Sequence, residues 1–328
     1  MQSLKTIRLR GTALVGASLF AFSSNALAVT QSEVIENLSD IAQMMYEDSV
    51  ATATALKEAN LRLIAEPTEQ NLSNARALWR QSRMPYQQTE ALRFGNSVVD
   101  AFEGKVNAWP LDEGLIDYVA DPSLFEGSEN PAVLANVIAN PEIRIKGEKV
   151  DASKIDQVLL ESLHEAGGIE ANVATGYHAI EFLLWGQDLY GNDAGGGMRK
   201  ATDFNTVLCT NGNCDRRGDY LIAATDLLIQ DLQTMVVAFA PQGDGRQAMQ
   251  DGGLAALLTG LGSLSYGELA GERTKLGLML HDPEEEHDCF SDNTHWSHYY
   301  DVVGINNLWN GAYRRVNGDL MTGPGLMD

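Results

Sequence analysis

Cysteine is scarce, with three in 328 residues. Two of them, Cys209 and Cys214, flank the polar turn Thr210-Asn211-Gly212-Asn213 and can close a small disulfide loop in an oxidising compartment. So short a loop stabilises only modestly, and Cys289 is left over as a thiol. Basic residues are few as well: 23 against 45 acidic, a formal net charge of -22. That balance argues against nucleic acid and anionic membrane surfaces and favours cations, although keeping an exported chain soluble accounts for most of it. Beyond the N-terminus no stretch reaches the roughly 18 uninterrupted apolar residues of a membrane span. No Cys follows the N-terminal apolar stretch, which argues against a lipid anchor of the bacterial lipoprotein kind. Period-2 alternation is nearly absent, with Ile143-Arg144-Ile145 the one strand candidate. Hydrolase signatures are missing too. There is no HExxH, no HxxEH because Phe182 follows Glu181, and no nucleophile elbow.

The N-terminus has the composition of a targeting segment. Lys5, Arg8 and Arg10 precede the apolar stretch Thr12 to Phe22, and Ala26-Leu27-Ala28 is a small-x-small cleavage signal. Residues 1–28 are therefore expected to be a signal peptide cut after Ala28. The mature chain, about 300 residues, suffices for two modest domains or one large one. It is expected to be exported and periplasmic, with the outer membrane or cell surface as a further candidate location.

The pattern that remains is helical. Val34, Leu38, Ile41 and Met45 repeat at helical spacing and predict an amphipathic helix to about residue 65, broken by Pro67 and Thr68. A second helix is predicted from about 69 to Phe94, ending at Gly95. Prolines 110, 122, 131 and 141 punctuate an irregular stretch over 96–155. Further helices are predicted over about 155–167, 170–185, 218–240, 246–280 and 297–316. The 246–280 segment carries many glycines, which costs stability unless helices pack very closely there. The polar, Gly-rich stretch 186–215 reads as a boundary. The expected fold is all-α, two packed helical bundles at residues 29–190 and 191–328.

The run Gly176-Tyr177-His178-Ala179-Ile180-Glu181 lies inside an apolar helix that continues through Phe182, Leu183, Leu184 and Trp185. Residues three apart share a helix surface, so His178 and Glu181 are neighbours. A helix apolar nearly all round is buried, and a buried carboxylate costs several kcal/mol unless neutralised. The pair can satisfy itself within a bundle, or it can be half of a metal site. Gly176 weakens the helix, which makes sense if something approaches its backbone closely.

Four segments in order resemble the imelysin family: Trp79 to Glu90 running on to Gly95, Val106 to Gly114, the GxHxxE run with Leu184-Trp185-Gly186, and Cys289 to His295. They span roughly residues 32–315. The resemblance implies an all-helical periplasmic or surface protein linked to iron, with two halves related as an ancient repeat. It also carries the family's older description as insulin-cleaving peptidases.

Other candidates follow from it. Ser291-Asp292-Asn293-Thr294-His295 resembles a family segment whose Asp lies near the HxxE helix, which makes Asp292 a candidate ligand and His295 a weaker one. They belong to the acidic, His-rich stretch 281–301, most of whose charges read as a solvated loop. Arg83, Tyr86 and Glu90 form a polar stripe on one helix face, the usual appearance of a solvent side. In related iron-uptake proteins this helix carries YExxE; here Gln87 replaces the first Glu and only Glu90 remains. Glu113 reads as a helix-start acid or a further candidate.

His178, Glu181, Glu90 and Asp292 thus form the expected metal set. One His with carboxylates is a nitrogen/oxygen site that suits iron, with zinc or manganese as alternatives. The first functional expectation is an exported iron-binding protein acting in uptake or handling, with a metal ion and a membrane iron-uptake system as partners. A metallopeptidase is the second, and a peptide- or polysaccharide-binding module with a structural His/Glu pair is the third.

Overall fold

Thr30 starts the first long helix. Its side chain accepts from the Glu33 N–H while Glu33 reaches back to the Thr30 N–H, a closed capping box. The computed structural model describes residues 28–281 and 285–328. The expected signal peptide, apart from Ala28, lies outside the described residues, as do Asp282 and Glu284. Helix α1 spans Gln31–Ala65, and its predicted apolar face is buried at Val34, Leu38, Ile41 and Met45. It packs against α2 (Glu69–Gln87), α7 (Cys214–Ala238) and α8 (Asp244–Gly262), so it borders elements on both sides of the 186–213 connection. By length and composition α7 could cross a membrane; half of its most apolar window is buried inside the protein.

The second predicted helix changes character partway. Pro85 lacks an N–H to give the preceding turn, and after Gln87 the chain tightens into a 3-10 segment, Gln88–Gly95. Helix α3 (Ser97–Val106) follows, capped by the Asn96 side chain, then the single turn α4 (Glu113–Ile116). Strands β1 (Glu142–Ile145) and β2 (Glu148–Asp151) pair antiparallel around the expected Ile143. Helix α5 is shorter than its pattern, Gln157–Leu163.

Helix α6 spans Gly176–Trp185, starting six residues later than the hydrophobic pattern suggests. The reason is Gly176, whose φ of 80° no residue inside an α-helix adopts. Any Cβ there would run into the Val106 backbone, so the glycine permits a close approach and begins the helix rather than weakening its middle. Trp79 Nε1 donates to the Tyr177 carbonyl at 2.9 Å and the Tyr220 hydroxyl to the Ala174 carbonyl at 2.9 Å, fixing that start from two sides. Every residue of α6 is buried.

The glycine-rich region is helical throughout but irregular. Helix α8 bends at Gly253, passes into a π-helical stretch, Ser263–Leu276, and ends in the turn α9 (Gly277–Leu280). Close packing does occur there: a Cβ on Gly260 would stand 3.2 Å from the Ala91 carbonyl oxygen and the Gly95 nitrogen. The last helix, α10, is Thr294–Asn310, stopped by Gly311 in the left-handed region. Strands β3 (Ala312–Arg314) and β4 (Leu320–Thr322) then form a second small hairpin. That hairpin locks onto α1. Asp48, buried, accepts from the Tyr313 hydroxyl at 2.8 Å, from Arg315 at 2.7 and 3.0 Å, and from the Val316 N–H at 2.9 Å. Cys209 and Cys214 are joined, and Cys289 is buried and outside any disulfide.

Candidate metal centre

The i,i+3 spacing on α6 brings His178 and Glu181 into contact, with Nδ1 2.9 Å from Oε2. Both residues are fully buried. The other carboxylate oxygen, Oε1, accepts from the Ser291 N–H at 2.9 Å. Glu181 thus orients the imidazole, and both of its oxygens are already engaged. His178 Nε2 is buried without a hydrogen-bond partner.

What faces His178 comes from the segment before α10. His287 meets it edge to face, ring centroids 4.9 Å apart. Asp288 Oδ1 lies 4.0 Å from His178 Nδ1 and 3.2 Å from His287 Nδ1. Among the described residues, His178, His287 and Asp288 form the group whose potential ligand atoms all fall within 4.8 Å. Bonds of about 2.1 Å put ligand atoms at most about 4.2 Å apart, so closure on one ion requires shifts of a few tenths of an ångström.

The same carboxylate is held by α2. Arg83 Nη2 donates to Asp288 Oδ1 at 2.9 Å, and Arg83 Nη1 to Asn107 Oδ1 at 2.6 Å. Asn293 Nδ2 donates to Asp288 Oδ2 at 2.9 Å, and Ser297 Oγ makes a further short contact with that oxygen. Arg83 stacks over Tyr177 at 4.9 Å. The predicted solvent stripe is therefore interior: Arg83 and Tyr86 are 1% exposed and Glu90 2%.

Electrostatics follow from burial. Burial, then Arg83 and His287, push His178 well below the ordinary histidine range. Burial, then Arg273, push His287 down to about 4. Burial, then the neighbouring Asp288, raise Glu181 well above the usual carboxylate range. Burial works to raise Asp288 too, but Arg83 and His287 outweigh it and hold it well below its usual value. Protonated Glu181 can donate to Nδ1, leaving Nε2 as an orphaned N–H. Ionised Glu181 accepts from Nδ1–H and leaves a lone pair on Nε2. Loss of one proton from the pair thus turns Nε2 from a donor into an acceptor.

Two of the four expected ligands stand elsewhere. Glu90 is bound by Arg273 at 2.9 Å, with the Tyr86 hydroxyl donating at 3.4 Å. Arg273 also holds Asp301 at 3.1 Å, and Gln87, in place of the expected Glu, donates to Asp301 at 3.2 Å. Glu90 therefore serves an ion-pair network next to the centre. Asp292 accepts from the Gly195 N–H at 3.1 Å and is partly exposed. His295 is exposed against Trp296. Glu113 starts α4 and accepts from Gln187 at 3.0 Å. The sequence reading passed over His287 and Asp288 within the acidic stretch; the apolar Cys289-Phe290 directly after them is the local sign that the chain turns inward there.

The imelysin family model matches residues 42–328. The chain belongs to the imelysin family. An imelysin relative is iron-regulated protein A of Synechococcus elongatus, 32% identical over 108 residues, which are 32% of this chain and 30% of that protein. The match thus spans less than a third of the relative's length. Among solved structures, this imelysin resembles one described as an iron-regulated protein A precursor from Parabacteroides distasonis. The TM-score is 0.58 at 18% identity, covering 86% of this chain and 73% of the other. That likeness concerns the fold, which is predominantly helical with two small strand pairs.

Proposed function

We propose that this imelysin is an exported iron-binding protein in which His178, His287 and Asp288 hold the ion and Glu181 orients His178. The buried cluster of His178, His287 and Asp288, whose potential ligand atoms lie within 4.8 Å of one another and which leaves His178 Nε2 unpartnered, is the observation that carries this reading. Two imidazoles and one carboxylate are a donor set suited to iron(II), with manganese or zinc as alternatives. Iron bound there would supply a cation to offset the buried carboxylates. Arg83 already neutralises part of Asp288, so the ion would share that carboxylate with a guanidinium. This favours reversible loading over a permanent structural metal. Glu181, the carboxylate a hydrolytic reading would use as base, is occupied by His178 and Ser291, which favours binding over peptide cleavage. Export fits the N-terminal composition, the acidic balance and the precursor description of the structural relative. Delivery to a membrane iron-uptake system is the role proposed for the loaded protein.

Anaerobic calorimetric titration of iron(II) into wild type, His178→Ala and His287→Ala tests it. Wild type is expected to bind one ion and to release about one proton on binding, with each variant at least about tenfold weaker. Equal affinity in all three proteins would make the cluster purely structural.

A further inference from the structure

A cavity of about 480 Å³ opens beside the C-terminal end of α6 and shares no lining residue with the His178 centre. Tyr118, Trp185, Tyr190 and the exposed Met198 give it a mostly apolar wall. Lys200 adds an exposed positive charge. The buried charged residue in the lining is Arg199.

Arg199 is only half used. Its Nη1 serves both Asp117, at 2.8 Å, and Asp203, at 3.2 Å. Its Nε and Nη2 are buried with no hydrogen-bond partner. Those two nitrogens form one edge of the guanidinium, a two-donor fork whose spacing matches the two oxygens of a carboxylate. Arg217 applies the same edge to the two carboxylate oxygens of Asp117 in this protein. Orphaned buried donors cost stability, and nothing among the described residues satisfies these. Gly186, another lining residue, lies against this edge: a Cβ there would stand 3.7 Å from Arg199 Nε, at van der Waals contact. Nearby charge has the right sign for an anion. Asp117 and Asp203 are balanced by Arg199 and Arg217, while Arg76 donates to the Arg199 carbonyl at 2.8 Å.

We propose that this cavity is a binding site for a small organic anion, with a carboxylate on the Nε/Nη2 edge of Arg199 and an apolar or aromatic body against Trp185, Tyr190 and Met198. The disulfide loop supplies part of the wall. Thr210 and Asn211, held between Cys209 and Cys214, line the cavity and donate to Asp203 at 2.6 and 2.7 Å. The site does not depend on the metal reading, because neither the fork nor the wall includes a residue of that centre.

Benzoate and benzamide are the probes, being nearly the same body with and without the charge. Binding is measured by calorimetry and by saturation-transfer NMR on wild type, Met198→Glu, Arg199→Lys and His178→Ala. Wild type and His178→Ala are expected to bind benzoate alike, and at least about tenfold better than benzamide. Arg199→Lys keeps the charge but loses the fork, and is expected to bind about tenfold more weakly. Met198→Glu places a negative charge on an exposed rim and is expected to weaken benzoate about fivefold; it decides the matter if Arg199→Lys does not fold. Absent benzoate binding, equal binding of benzamide, or unchanged affinity in Met198→Glu or in folded Arg199→Lys would overturn the proposal.

Discussion

The cluster around Asp288 and the cluster around Asp117 are built alike. Each is buried, each centres on a carboxylate gripped by arginine, and each packs against α6, through His178 in the first and through Phe182 under Arg199 in the second. They differ in what is left over. The Asp117 cluster sets two arginines against two aspartates, and its unmet atoms are N–H donors. The Asp288 cluster also leaves an N–H donor unmet, Arg83 Nε, but it includes two imidazoles held neutral, and the unmet His178 Nε2 becomes an acceptor when Glu181 ionises. This is why an anion is proposed for the first and a cation for the second. Burial alone does not distinguish them, nor does an orphaned guanidinium N–H, which both have; the imidazole nitrogen that can turn acceptor does.

The largest expected effect is on the charge-balanced cluster. Asp117→Ala removes the partner of both Arg199 and Arg217 and is expected to cost about 3–5 kcal/mol, read by urea denaturation. A loss below about 1 kcal/mol would show that the two guanidiniums find compensation and that the balance is not structural.

Acid should separate the clusters next. His287 titrates near 4 in the folded protein and near 6.5 when unfolded. Its folded value is lowered, so the unfolded chain takes up the proton first. Stability is full above pH 6.5, falls as pH drops toward 4, and does so by about 3 kcal/mol for the metal-free protein. Asp117 is held below its usual range: burial opposes this, but Arg199 and Arg217 outweigh it. Its contribution is present above pH 3.8 and lost only below, leaving that cluster silent in the same window. Denaturation midpoints from pH 7 to 4, for wild type and His287→Asn, check this. The slope is expected to shrink in the variant, with the remainder coming from His178 and His298, which burial also lowers; an unchanged slope would assign the loss elsewhere.

Glu181→Gln sharpens the contrast from the cation side. The amide can still touch His178 but cannot act as its ionised acceptor, so iron affinity is expected to drop about 10–100-fold. Iron titration into Asp117→Asn should give wild-type affinity; a matching drop there would mean that the two clusters act as one.

A smaller effect is expected from the double change Cys209→Ser with Cys214→Ser, about 2 kcal/mol for so short a loop. Its mark should fall on the anion cavity, whose Thr210 and Asn211 it frees, and not on iron binding. The smallest effect concerns the half-exposed pair Lys57–Asp226, between α1 and α7. Lys57→Met should shift the denaturation midpoint by less than about 1 kcal/mol; a larger shift would move the stabilising charge outside the two interior clusters.

Periodicity was enough to find α1, α7 and the contact between His178 and Glu181, because all three are local. It reports a face, not what packs on that face. Arg83, Tyr86 and Glu90 make a polar stripe whether they meet water or Arg273, which lies 183 residues from Glu90. His287 and Asp288 join His178 across more than a hundred positions, and nothing local announces the pairing. The α6 start was missed because apolar residues continue upstream, while the deciding feature is one backbone angle at Gly176. The second hairpin had a readable sign, Asn317-Gly318 between two short runs, that the period search passed over.

Asp48 sets a timing condition on how the molecule is completed. A polypeptide emerges N-terminus first, and α1 is exposed long before Tyr313, Arg315 and Val316 appear. Until they do, a carboxylate on the inward side of α1 has no protein donor and must stay hydrated. Water has to be kept on that side of the helix, so the surfaces around Asp48 stay unsealed until residues 313–316 have arrived. A single acidic residue in the first helix thus works as a latch that only the second hairpin closes, so the packing around α1 is completed after that hairpin has docked.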